Sequence, residues 1–277
     1  MKFSTLASAI LLSTATASVA AQTIEVSITN LTKAMHFTPR LVVAHDATVD
    51  TFEVGQEATT ALAWMAEAGV IEDDQNAASS GQNFEAMLGP EDTDNGTNTW
   101  HRFGGLVEPS STLSYPFDTM DYEYLSVVTM LIPTNDAFAG LDSIRIPTEP
   151  GTYTYYLNAY DAGTELNDEL NATRTDIVEV GGGPLGAYGA PGMAGVGASP
   201  VPVGVGATGV AVTVGEDADG MPLAAPNEVI DGTDGPVHIH RNVLGDTDDT
   251  AGASDLNSRV HRWLNPVARV TITVPAA

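Results

Sequence analysis

Two stretches, LIPTNDAFAGLDSI (131–144) and GTYTYYLNAYDAGTEL (151–166), read as strands joined by the turn PTEPG (147–151). This pairing constrains the chain more than any other feature. A hairpin that turns at 147–151 leaves the start of its first strand beside the end of its second. The loop carrying Asp136 therefore emerges next to the loop running from Asp161 to Glu165. Two unit charges ~4 Å apart repel by roughly 4 kcal/mol at an effective dielectric near 20. A divalent cation converts that repulsion into binding, and an all-oxygen carboxylate site favours Ca²⁺. The alternative is that these three are ordinary solvated loop acids in a chain with 36 acidic residues.

The 277 residues suffice for one large β domain or two small ones. Residues 1–21 read as a secretory signal, with Lys2 as the charged start, LASAILL (6–12) as the apolar core and ASVAA (17–21) as the cleavage region. Cleavage falls before Ala21 or Gln22. No segment has the ~20 apolar residues a membrane span needs, so an exported chain without membrane insertion is expected. Losing Lys2 takes the formal charge from −26 to −27. Such acidity argues against nucleic acid and anionic membranes as partners, and fits cation binding or solubility in a salty exterior. With no cysteine there is neither disulfide nor thiol chemistry.

TIEVSITN (23–30) alternates with period two, Ile24, Val26 and Ile28 facing one way, and predicts a half-buried strand. FTPRLVVAH (37–45), SSTLSYPFD (110–118) and VARVTITV (267–274) follow as strands. YEYLSVVTMLI (122–132) is apolar on both faces and suits a central strand covered on two sides. The period changes in QEATTALAWMAEAG (56–69), where Ala58, Ala61, Leu62, Met65 and Ala68 share a helical face and Gly69 offers a C-cap. Residues 70–100 are polar, and EDTDNGTN (91–98) reads as a solvated loop, since no closing Glu completes a calcium loop. Residues 181–235 are Gly- and Pro-rich and predict a long flexible insertion. Because the last strand is needed to complete the sheet, 22–277 is expected to be one domain.

Catalytic signatures are missing: there is no Gly-x-Ser-x-Gly elbow, no His-Glu-x-x-His and no phosphate-cradling Gly-Lys-Ser/Thr loop. The rival constellation is His238 and His240, which share a face if HIHR is a strand, with His261 as a third imidazole for Zn²⁺ or Cu²⁺. The plainer reading is a strand whose histidines bond to backbone or to acids such as Asp246. Trp263 reads as a core anchor of the last strand. Of the tyrosines at 153, 155, 156 and 160, at least one alternating pair is expected to be core.

MLIPTNDAFAGLDSI and YLNAYDAGTE resemble the two signature segments of the spondin domain, the N-terminal module of F-spondin and mindin. WLNPVARVTITV (263–274) is similar to the segment that closes that domain. The resemblance implies a mainly β fold, a C2-like antiparallel β-sandwich, here with one short helix and the long Gly/Pro-rich insertion. It also implies one Ca²⁺ held by three acidic side chains at one end, which match Asp136, Asp161 and Glu165. The last is a departure, because the family usually has Asp there. The implied role is extracellular binding or adhesion, toward a protein or glycan ligand the sequence does not name, rather than catalysis. Signal style, absent disulfides and acidity suggest a bacterial exported protein. Two further readings stand beside it: a secreted metalloenzyme or hydrolase using His238, His240 and His261, and a structural surface-layer component.

Overall fold

The computed structural model describes residues 21–73, 80–165, 167, 169, 234–245, 247, 256 and 258–276. Residues 1–20 of the signal segment, the 181–233 part of the insertion and Asp246 lie outside them. Within the described residues, Ile24, Val26 and Ile28 of β1 (Thr23–Asn30) are buried while Thr23 and Glu25 are exposed, as the alternation requires.

The remaining strands are β2 (His36–Phe37), β3 (Arg40–His45), β4 (Asn98–Phe103), β5 (Thr112–Asp118), β6 (Tyr124–Ile132), β7 (Ala137–Arg145), β8 (Gly151–Asp161), β9 (His238–Ile239) and β10 (Ala268–Val274). All pairings are antiparallel, along the path β4-β3-β6-β7-β8-β10-β1-β5, with β2 on β6 and β9 on β8. Strand β8 joins the two layers. Its residues 151–157 pair with β10, and its residues 158–161 pair with β7. The path folds over at that point into a sandwich that approaches a barrel. At its free ends Phe103 of β4 stacks on Tyr115 of β5, ring centroids 4.5 Å apart.

The main core lies between the layers and draws on Val26 and Ile28, Val42 and Ala44, Leu125 and Val127, Leu157, Val270 and Ile272. A second core covers the outer face of the β3–β6–β7 layer, where Leu41, Val43, Val128, Met130 and Phe138 meet two helices. These are α1 (Thr60–Ala68) and α2 (Phe84–Leu88). Strand β6 is apolar on both faces for this reason: one face fills the sandwich and the other receives the helices.

Helix α1 is built from strong helix formers and bounded by clear signals. The Thr59 side chain accepts from Leu62 N at 3.1 Å, and Gly69 ends the helix at φ +65°. Leu62 and Met65 are fully buried on the second core, worth roughly 1.5–3 kcal/mol each. The helix matches the sequence expectation, and the five-residue α2 is an addition to it. Trp263 is buried in the main core as expected. Tyr153 and Tyr155 pack partly against that core, Tyr160 packs against the second, and Tyr156 is exposed.

Candidate metal centre

The β7–β8 register pairs Ala137 with Asp161, so Asp136 and Asp161 lie side by side at the open end of the hairpin. The ladder runs one step further, with Ala162 N donating to Asp136 O at 3.2 Å. Both carboxylates are completely buried. Oδ2 of Asp136 accepts from Thr164 N (2.8 Å), Glu165 N (3.0 Å) and the Thr164 hydroxyl (3.2 Å). Oδ1 of the same carboxylate is buried and has no hydrogen-bond partner. Asp161 closes its own turn, Oδ1 accepting from Gly163 N at 2.8 Å, while Oδ2 accepts from the Asn167 amide.

The sequence Asp-Ala-Gly-Thr-Glu is thus explained piece by piece. Asp161 nucleates the turn, and Thr164 and Glu165 turn their amides onto Asp136. Gly163 sits at φ +75°, where a Cβ would lie 1.7 Å from the carbonyl oxygen of Gly235. Only glycine lets the 234–236 segment approach so closely. That segment leads into β9, which sets His238 opposite Asp161.

The histidines that the sequence sets up as a rival constellation belong to this same end. The Nε2 atoms of His238 and His240 each lie 3.8 Å from Asp161 Oδ2. His238 Nδ1 is 2.9 Å from Pro236 O, a bond in which the ring nitrogen donates. His240 has both nitrogens engaged: Nδ1 accepts from Asn242 N at 2.9 Å, so Nε2 carries the proton and donates to Asn167 Oδ1 at 2.7 Å. Burial, helped by the charges of Arg241 and His238, lowers the pKa of His240 to about 3. His261 is buried beside His36 instead, and burial lowers its pKa to about 4. The three imidazoles therefore divide between two places.

Electrostatics at the hairpin end favour a positive guest. Burial, the charge of Asp161 and, more weakly, that of Glu67 push Asp136 well above the usual carboxylate range, against the pull of the two amides. Burial likewise raises Asp161, opposed by Asn167, Gly163 and His238. Among the described residues, neither Lys nor Arg forms an ion pair with Asp136 or Asp161. Nor do the donor atoms of Asp136, Asp161 and Glu165 all fall within 4.8 Å of one another. Among the described residues the group that meets this measure is Glu91, Asp92 and His101 on the surface. There His101 Nδ1 lies 2.9 Å from Glu91 Oε1 and 3.0 Å from Asp92 Oδ1.

Sequence reasoning missed Glu67 at this end. It projects from α1 and is 3% exposed. Burial raises its pKa to about 7, and the Thr164 hydroxyl works in the opposite direction. The available signal was its isolation, as the one charged residue in TALAWMAEA.

The spondin N-terminal domain model matches residues 29–174, which span the hairpin with Asp136, Asp161 and Glu165. The chain belongs to the spondin N-terminal domain family. Comparison with curated proteins gives no match. The spondin family is not a known enzyme family, and its domains are typically extracellular. Among the described residues no helix is long and apolar enough to cross a membrane.

Proposed function

We propose that this spondin-family chain is an exported calcium-binding protein of extracellular binding or adhesion. One observation carries the reading: Asp136 and Asp161 are fully buried side by side, and Asp136 Oδ1 has no partner. A buried carboxylate oxygen without a hydrogen bond or counter-charge is expensive to maintain. A hard divalent cation answers both deficits at once, and the donor set is all oxygen.

Asp136, Asp161 and Glu165 would hold the ion, with backbone carbonyls and water completing the ~6–8 oxygens that Ca²⁺ takes. When bound, the cation neutralises the crowded charge. The chain's own residues do the rest. The amides of Thr164 and Glu165 fix one oxygen of Asp136, Gly163 lets the 234–236 segment close over the turn, and Asn167 holds Asp161. The loop before β7, the loop after β8 and the approach to β9 would then form one firm surface for an extracellular protein or glycan. Export rests on residues 1–21 and fits a net charge of −26.

The test has two arms. Calcium titration by calorimetry is expected to show one site in the full chain, lost in Asp136→Asn and Asp161→Asn. Binding to immobilised matrix proteins and glycans is expected in calcium and not in chelator. A chain that takes up no calcium would remove the basis of the proposal.

A further inference from the structure

We infer that Glu67 is a fourth protein ligand of this cation site, tying helix α1 to the open end of the hairpin. The inference rests on the reading of the Asp136–Asp161 end as a calcium site, and it concerns a residue outside the acidic segments that suggested that site.

Glu67 has no structural occupation of its own. Both carboxylate oxygens are buried and neither has a hydrogen-bond partner. Among the described residues no Lys or Arg forms an ion pair with it. It lies in the last turn of α1, where the carbonyl end of the helix dipole disfavours a negative charge. Each of these features disfavours a carboxylate at position 67, and apolar neighbours such as Met65 and Ala66 would pack there without them.

What the side chain faces explains its presence. Its charge adds to the rise of Asp136, as the weakest of the causes, and the Thr164 hydroxyl acts on both carboxylates. That hydroxyl donates to Asp136 Oδ2 at 3.2 Å, and neither oxygen of Glu67 has a hydrogen-bond partner. Three buried carboxylate oxygens without a hydrogen-bond partner, two of Glu67 on α1 and Oδ1 of Asp136 just before β7, therefore belong to the same end of the fold. Helix α1 packs on both β6 and β7, the strand that Asp136 precedes. A hard divalent cation would join the Glu67 and Asp136 carboxylates, with the fourth carboxylate raising the local negative charge that selects for it.

The experiment compares the wild type, Glu67→Gln and Asp136→Asn as full-length chains, by calcium calorimetry and by amide hydrogen exchange with and without calcium. Gln keeps the shape and removes the charge, so the metal-free variant is expected to melt no lower than the wild type. Calcium is expected to slow exchange across residues 60–68 and 161–165 of the wild type. Glu67→Gln should weaken calcium at least about tenfold. It should also lose the protection of 60–68 while keeping that of 161–165. A Glu67→Gln chain that binds like the wild type and still protects α1 would overturn the assignment and leave the calcium site standing. A wild type that binds no calcium removes both, a distinct outcome. Should Glu67→Gln fail to fold, Glu67→Asp, one methylene shorter, replaces it with the same expected direction.

Discussion

Glu91, Asp92 and His101 form the tighter of two clusters of ligand-type side chains, yet every member is occupied. His101 sits between the two acids, and Glu91 Oε1 also accepts from Arg102 N at 2.7 Å. Water reaches all three, and Asp92 is 66% exposed at its side chain. The cluster at the hairpin end is less converged, but Asp136 and Asp161 are fully buried, and oxygens of Asp136 and Glu67 have no partner. The contrast separates proximity from need. Exposed acids near a histidine are satisfied by it and by solvent, whereas buried acids without cations still lack what burial took away.

Matched glycines give the largest expected difference between the two places. Gly163 and Gly96 both have positive φ, at +75° and +82°. An added Cβ at Gly96 meets nothing, while at Gly163 it meets the Gly235 carbonyl at 1.7 Å. Gly163→Ala is expected to lower stability in urea by at least ~3 kcal/mol, because backbone must move as well as strain. It should also abolish any calcium response. Gly96→Ala should lose only about 1–2 kcal/mol, the strain of the left-handed conformation.

Burial also sets a pH dependence. The pKa of His261 is lowered from 6.5 to about 4 by desolvation, with the charge of His36 assisting. Below pH 6.5 the unfolded chain takes up a proton that the folded chain refuses, so the unfolded state is favoured as pH falls. The contribution is fully present above pH 6.5 and is lost progressively toward pH 4, by up to about 3 kcal/mol. Denaturation curves from pH 7 to 4 are expected to show this loss, and His261→Gln should make the slope shallower by about one proton. A slope unchanged by that substitution would contradict the burial argument.

The smallest effect belongs to the exposed cluster. Asp92 has φ +53°, which Asn tolerates well, so Asp92→Asn should change stability by no more than ~0.5 kcal/mol. Its calcium response should match the wild type's. A substantial loss of calcium binding in this variant would reverse the comparison and move the site to the surface.

Much of the sandwich was legible in the sequence. Alternation marks β1 and β10, the two-faced apolar run marks β6, and the 131–166 hairpin fixes its own register. Strand β4 was not, because NTWHRF lacks alternation and begins inside a polar stretch. Its strand character comes from pairing with β3. Helix α2 is too short for a periodic signal. At the site, the hairpin argument places Asp136 and Asp161 side by side, and the structure agrees. The histidines look like competitors in sequence, far along the chain from the acids. The two-residue pairing of β9 brings His238 and His240 onto Asp161. Glu67 was hidden for a different reason. One acid in an apolar helix carries no sign of its neighbours in its own sequence, and only the fold brings its charge to bear on Asp136.

Thermal unfolding of the full chain in calcium and in chelator, on the wild type and on Asp161→Asn, tests the central claim most directly. A site filled at 100 times its Kd adds about 2.7 kcal/mol. The wild type should therefore melt several degrees higher in calcium, and Asp161→Asn should melt at one temperature in both conditions. Equal melting of the wild type in calcium and chelator would contradict the account.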